Sequence, residues 1–171
     1  MEISVCPIGS LEEAVVDADV VSVATAGARR PAIETRWLKE GCLLALSGTA
    51  ELAEDCYTEN TVVVDNWRMH LALRRESEGH PKGLQSLLDW APSGPLLKMS
   101  SEGKIGDEDV LNLGDITLGK VVGRSGDEDR IVFVAGGMPT EDVAWAYAIY
   151  EEAIRIGVGQ ELTLWEEPHW S

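Results

Sequence analysis

The stretch Ile131–Val132–Phe133–Val134–Ala135–Gly136–Gly137–Met138–Pro139–Thr140–Glu141–Asp142–Val143–Ala144–Trp145 decides the fold. Its first five residues are all apolar and rich in β-branched side chains, the pattern of a strand covered on both faces in a parallel sheet. Gly136 and Gly137 break that run. Pro139 suits the first turn of a helix, and Glu141 and Asp142 favour its positive end. The pattern predicts a long helix from about Thr140 to Ile156, stopped by Gly157 and Gly159. Its centre, Ala144–Tyr150, is apolar on every side, which predicts a helix enclosed between layers rather than laid on a surface.

Upstream, three more apolar runs share this character: Val20–Ala24, Cys42–Leu46 and Thr61–Val64. Each ends in small or polar residues. Neighbouring parallel strands of one sheet are expected. Ile3–Cys6 reads as a further short strand. Ser10 with Glu13 forms a capping box for a helix carrying Leu11, Ala14, Val15 and Ala18 on one face. Trp67–Glu78 reads as a helix, residues 79–106 as a long turn-rich excursion, and Asp107 as the cap of a short helix through Leu113. Glu161–Trp165 alternates and suggests a final edge strand. The fold class is α/β: an incomplete Rossmann-type, doubly wound, mainly parallel sheet with flanking helices.

Composition bounds the function. The chain has 171 residues, 44% of them hydrophobic, and a net charge of -16. Such a surface repels phosphate backbones and anionic lipid, so neither nucleic acid nor membrane is an expected partner. The opening MEISVCPIGSLEE has no basic region followed by an apolar core, and no apolar run is long enough to cross a bilayer. Both observations point to the cytoplasm. Cys6, Cys42 and Cys56 are too widely spaced for a metal site and odd in number for a disulfide framework, so they read as small buried hydrophobes. His70, His80 and His169 lack metal-ligand spacing and read as surface or capping residues.

No nucleophile elbow and no Cys/His arrangement emerges from the spacing. The glycine fingerprint of a dinucleotide site, expected after a first strand, is absent after Cys6–Pro7–Ile8–Gly9. The strand ends remain. In open parallel sheets ligands lie beyond the carboxyl ends of the strands. Here those ends are Thr25–Ala26, Ser47–Gly48, Asp65–Asn66 and Ala135–Gly137, where small residues either admit a ligand to the backbone or simply make turns. The glycine pair before the helix at Pro139 is the most specific of them. Glu141 and Asp142 already place negative charge in that turn, which argues against a bare phosphate pocket there.

The ordered set of motifs resembles the ornithine cyclodeaminase/mu-crystallin family. Ser10–Ala14, Asp17–Val21 with Ala24–Thr25, Leu38–Gly41, Val62–Asp65, and Gly119–Lys120 with Gly123–Arg124 carry the match. Gly136–Trp145, Gly157–Gly159 and Leu162–Glu166, with Val64–Asp65–Asn66, are similar to the tyramine oxidase branch of that family. The resemblance implies NAD or NADP as cofactor and a small amine or amino-acid substrate. It places Thr25, Ala26, Ser47, Gly48, Ala135, Gly136 and Gly137 beside the nicotinamide. An Asp that serves the chemistry commonly follows the glycine matched by Gly48. Here Gly48–Thr49–Ala50–Glu51 has none, and Glu51 is the nearest acid. The implied protein is the C-terminal part of a longer enzyme, without its substrate domain and inactive alone. Residues from about 140 to 171 would pack toward that domain, and a homodimer would form through it. Trp145 and Tyr147 are expected to be buried in that longer protein. A non-catalytic component or binding module on the same fold is the competing expectation.

Overall fold

The computed structural model describes residues 4–27 and 29–163. The chain divides into a body ending at Gly137 and a C-terminal unit starting at Met138. The body holds strands β1 (Val20–Val23), β2 (Ala32–Ile33), β3 (Leu43–Leu46), β4 (Glu51–Leu52), β5 (Thr61–Val64), β6 (Val110–Asn112) and β7 (Ile131–Val134). Its helices are α1 (Leu11–Val15), α2 (Asp55–Thr58), α3 (Trp67–Ser77), α4 (Gln85–Leu88), α5 (Gly94–Ser101) and α6 (Leu113–Thr117).

Five strands form one sheet in the order β1-β3-β7-β5-β6, and every neighbouring pair is parallel. The four runs read as strands from their apolar character are therefore neighbours, with Leu44 opposite Val132 and Val62 opposite Val132 on the other side. After β5 the chain runs outward to β6 and returns through β7 to the gap between β3 and β5. The small parallel pair β2–β4 stands apart from this sheet.

One face of the sheet is closed. Val21, Val23, Leu44, Leu46, Val62, Val64, Val132 and Val134 are buried on it and pack with Tyr57, Trp67, Leu87, Leu96 and Leu97 in a single core. Burial of each such large side chain contributes about 1.5–3 kcal/mol relative to exposure. The other face departs from expectation. Val20 and Ser22 are exposed, and Leu43, Ala45, Ile131 and Phe133 are only half-buried. Leu113, Ile116, Gly123 and Arg124 cover it only in part, and with Leu43, Val63, Ile131 and Phe133 they line an apolar depression of about 300 Å3. An apolar strand run thus requires two covered faces only when enough chain is available to cover both.

Local chemistry explains most helix boundaries. Ser10 Oγ accepts the Glu13 N–H at 3.1 Å, and Glu13 reaches back to the Gly9 N–H at 3.3 Å, one residue before the cap. Asn66 caps α3 by accepting from Arg68 and Met69. Three expectations need correction. Residues 4–6 form no strand (Ile3 lies outside the described residues), so nothing there pairs with β1. The excursion over residues 79–106 contains α4 and α5, and α5 buries Leu96, Leu97 and Met99 behind a Pro95 that starts the helix well. The helix expected from Asp107 is one 3-10 turn, after which Val110–Asn112 extends to satisfy the outer edge of β5.

The C-terminal unit is one helix, α7 (Pro139–Ile156), opened by Pro139 and closed by Gly157 in the left-handed region at φ 69°. Its apolar side chains are exposed, Trp145 to 72% and Tyr147 to 59%. Residues 161–163 form no strand, and the rest of the Glu161–Trp165 motif lies outside the described residues, as does His169.

Candidate functional site

The carboxyl ends of β1 and β3 are stitched together. Ser47 N–H and Gly48 N–H both donate to the Val23 carbonyl, at 3.0 and 2.8 Å. Thr25 Oγ1 donates to the Thr49 carbonyl at 2.8 Å, and the Thr49 N–H donates to the Thr25 carbonyl at 3.2 Å. A Cβ on Gly48 would stand 2.4 Å from both the backbone nitrogen and oxygen of Thr25. The protein's own backbone therefore demands this glycine, whatever else approaches it.

Above these ends lies a cavity of about 490 Å3 lined by Thr25, Ala26, Gly27, Ser47, Gly48 and Thr49 on one side. Its other wall comes from Arg30 and from Asp89, Trp90 and Pro92 of the excursion. Arg30 Nη2 donates to the Asp89 carbonyl at 2.8 Å, which holds the guanidinium at the cavity. The cavity so combines a backbone floor with small hydroxyl side chains, a fixed cation and an indole ring. Such a site suits a flat polar ring attached to an anionic group.

Thr25, Ala26, Ser47 and Gly48 are brought together in this cavity, whereas Ala135, Gly136 and Gly137 do not line it. Glu51 stands elsewhere: it belongs to β4 and borders a separate depression with Glu34, Arg36 and Asp55. The nearest carboxylate on the cavity wall is that of Asp89, whose Oδ2 accepts from Lys82 Nζ at 3.1 Å.

The glycine turn after β7 has a different occupant. Gly136 N–H and Gly137 N–H donate to Asp65 Oδ2 at 2.7 and 2.9 Å. The anion at this turn is a side chain of the protein itself. The other carboxylate oxygen accepts the Asn66 N–H at 2.8 Å and lies 2.7 Å from His70 Nε2. On the far side of the ring, His70 Nδ1 is 2.9 Å from Ser93 Oγ. Burial works against ionisation of Asp65, but the His70 hydrogen bond and the N–H groups of Asn66 and Gly136 outweigh it and hold the carboxyl below its ordinary range. With Asp65 ionised, His70 Nε2 must carry a hydrogen toward it, and Ser93 then donates to the bare Nδ1.

The connectivity Ser93–His70–Asp65 resembles that of a nucleophilic relay. Ser93 is 1% exposed and His70 0%, so the hydroxyl has no access to a substrate and the arrangement is a scaffold. His70 was expected at the surface; it lies instead inside, its ring 6.1 Å from that of Trp67. Residues 67 and 70 share the inward face of α3, and that spacing was the available signal. His80 is exposed, as read from the sequence. Cys42 and Cys56 are buried hydrophobes, whereas Cys6 is exposed.

A wholly parallel sheet with a ligand-sized cavity at its carboxyl ends defines the Rossmann-like class of α/β proteins. Residues 1–156 match the ornithine cyclodeaminase/mu-crystallin family, and the chain belongs to it. Among curated relatives, the N-((2S)-2-amino-2-carboxyethyl)-L-glutamate dehydrogenase of Staphylococcus aureus is 26% identical over 166 residues, 96% of this chain and 44% of that protein. The alanine dehydrogenase of Archaeoglobus fulgidus is 28% identical over 149 residues, 83% of this chain and 40% of that one. Among solved structures, an archaeal alanine dehydrogenase dimer with bound NAD superposes with a TM-score of 0.63 at 25% identity, covering 93% of this chain and 45% of that one. The Δ1-pyrroline-2-carboxylate reductase of Thermococcus litoralis, in complex with NADH and L-proline, gives 0.64 at 25% identity over 91% and 44%. The chain thus spans less than half the length of these relatives.

Proposed function

We propose that this chain is the C-terminal part of the dinucleotide-binding domain of a NAD- or NADP-dependent oxidoreductase acting on an amino acid, amine or imine. The observation that carries the reading is the cavity at the ends of β1 and β3, which gathers Thr25, Ala26, Ser47 and Gly48 on a family member whose relatives are dehydrogenases and reductases. When bound, the nicotinamide supplies hydride transfer at a carbon bearing nitrogen. This chain's residues fit only that end of the cofactor. Thr25, Ser47 and Thr49 offer polar groups to the ring and its amide, and Arg30 offers a cation to an attached anion. The donors that would hold a pyrophosphate do not come from the turn after β7, because Gly136 N–H and Gly137 N–H are committed to Asp65.

The rest of the cofactor site and the substrate site belong, in this reading, to the remainder of a longer protein. Two features support that. β1 is an edge strand of the described sheet, with Val20 60% exposed. On α7, Val143, Trp145, Ile149 and Tyr150 are exposed apolar residues on a helix that the substrate domain would cover. The same remainder would carry a homodimer contact. Within the family, the Val64–Asp65–Asn66 and Gly136–Trp145 motifs favour the tyramine oxidase branch, with action in the cytoplasm.

Saturation-transfer NMR of the 171-residue protein with NADH tests this reading. Transfer should reach the nicotinamide protons more strongly than the adenine protons, and Ser47→Leu, which fills the cavity from an exposed position, should remove it. Equal transfer to both rings, or transfer that survives Ser47→Leu, would overturn it.

A further inference from the structure

The fold uses Asp65, His70 and Ser93 in a way that the proposed function leaves open. Asp65 ends β5, His70 projects from α3, and Ser93 precedes α5. All three are buried. Between Asp89 and Ser93 the chain alternates. Ala91 and Ser93 are 2% and 1% exposed, whereas Trp90 and Pro92 line the strand-end cavity. Ser93 is thus the inward anchor of one cavity wall. Its only side-chain hydrogen bond among the described residues is to His70 Nδ1. At the other end of the relay, Asp65 holds the N–H groups of Gly136 and Gly137. The turn also lies directly on the imidazole, because a Cβ on Gly136 would stand 2.7 Å from His70 Cε1 and 2.5 Å from Met69 Cε. His70 is therefore in contact with both segments, one through Ser93 and one through Asp65 and direct packing.

We infer that His70 is a positioning residue that couples the Asp89–Ser93 wall of the strand-end cavity to the Gly136–Gly137 turn, so that the two are set as one unit. Three consecutive hydrogen-bonded links make the path: Ser93 Oγ–H to Nδ1, Nε2–H to Asp65 Oδ1, and Gly136 and Gly137 N–H to Asp65 Oδ2. An imidazole is suited to this task because it has a donor and an acceptor at fixed separation on one rigid ring. Buried, fully satisfied polar chains of this kind fix the relative placement of the elements they join. The structural coupling stands by itself; its importance for a ligand rests on the proposed cofactor reading.

Amide hydrogen exchange of the 171-residue protein tests the coupling. Ser93→Ala removes one end of the path without touching the turn. Exchange at Gly136 and Gly137 should rise about tenfold, the change that corresponds to losing one net hydrogen bond in a charged network. Leu97→Ala, a cavity in the same helix away from the relay, should raise exchange broadly with no selective effect at the turn. Increased exchange confined to the neighbourhood of residue 93, or an identical pattern from Leu97→Ala, would overturn the inference. Should Ser93→Ala not fold, nitrogen NMR of the wild-type imidazole decides. The inference requires hydrogen on Nε2, and a neutral Nδ1–H tautomer would sink it. Titration of NADH into the same two proteins separates this inference from the cofactor reading. Coupled exchange without cofactor contact in the wild type would leave the positioning role standing and remove the cofactor reading.

Discussion

Asp65 Oδ2 accepts the N–H of Gly136 at 2.7 Å across a sequence separation of 71 residues. That contact joins the carboxyl ends of β5 and β7, and the same oxygen also takes the Gly137 N–H. Asp65→Asn keeps the shape but replaces the anion with a group that cannot accept at both positions. Three donors then lose a charged acceptor inside the protein. Stability should fall by about 3 kcal/mol, measured by urea unfolding, because hydrogen bonds to buried charged groups exceed neutral ones in value. An unchanged midpoint would mean that water or a neighbouring group replaces the carboxylate at no cost.

The same carboxylate predicts how stability depends on acid. Its hydrogen bonds hold the folded-state value below the ordinary range. A group depressed on folding contributes stability that is fully present above its unfolded value, about 4 for an aspartate, and is lost as pH falls through the folded value. Wild-type protein should therefore lose more stability than Asp65→Asn between about pH 5 and about pH 2, limits that bracket this window. Parallel stability curves for the two proteins would remove Asp65 as the cause.

Two glycines at strand ends should respond differently to alanine. At Gly48 the obstruction is backbone: the nitrogen and oxygen of Thr25 lie 2.4 Å from the added Cβ. Relief requires β1 and β3 to part where four hydrogen bonds hold them. At Gly136 the obstruction includes Met69 Cε, the far end of a flexible side chain, together with the fixed His70 ring. Gly48→Ala should cost about 3 kcal/mol and Gly136→Ala about 2 kcal/mol, within the usual range for overpacking. Thermal unfolding of both variants checks the order. Equal and negligible costs would show that the glycines serve a ligand and not the fold.

The three cysteines should separate cleanly by reactivity. Cys6 is exposed, whereas Cys42 and Cys56 are buried. Burial pushes the Cys56 thiol up to about 11 and raises that of Cys42 as well. At pH 8 only about one Cys56 in a thousand would be thiolate, and reagents would still have to reach it. A chromogenic disulfide reagent should titrate one thiol in the native protein and three after unfolding. Rapid reaction of two or three native thiols would contradict the core packing around β3 and α2.

The strands were legible in the sequence because each is a run of apolar, β-branched residues whose meaning depends little on distant partners. Val20–Val23, Leu43–Leu46, Thr61–Val64 and Ile131–Val134 all fall within the runs that pattern identifies. β6 was not legible, since Val110–Asn112 is three residues long and becomes a strand only through pairing with β5. α5 was obscured by the turn formers around it, although Leu96, Leu97 and Met99 lie at the heart of the core. At the site, Thr25 and Ser47 were found through the general rule for strand ends. Arg30 and Trp90 were missed, because only the tertiary fold brings the excursion over β1 and β3. His70 was missed for a related reason: an ionisable side chain is buried here only because Asp65 and Ser93 wait at fixed positions on other elements.

Calorimetric titration of NAD(H) and NADP(H) into the 171-residue protein should show weak binding or none. Tight binding of a dinucleotide in this class relies on a glycine-rich turn and a helix N-terminus that grip the pyrophosphate. The glycine turn after β7 is occupied by Asp65, and the first N–H groups of α3 are taken by the side chains of Asn66 and Asn112. What remains for the ligand is the cavity at β1 and β3, with Arg30 as its cation. Fixing a large flexible molecule through one end recovers little of the entropy lost on binding. A net charge of -16 adds repulsion toward two phosphates, weakened by salt. A dissociation constant near 1 μM, about -8 kcal/mol, would require a complete phosphate site within these residues and would end the view that the chain holds only the nicotinamide end.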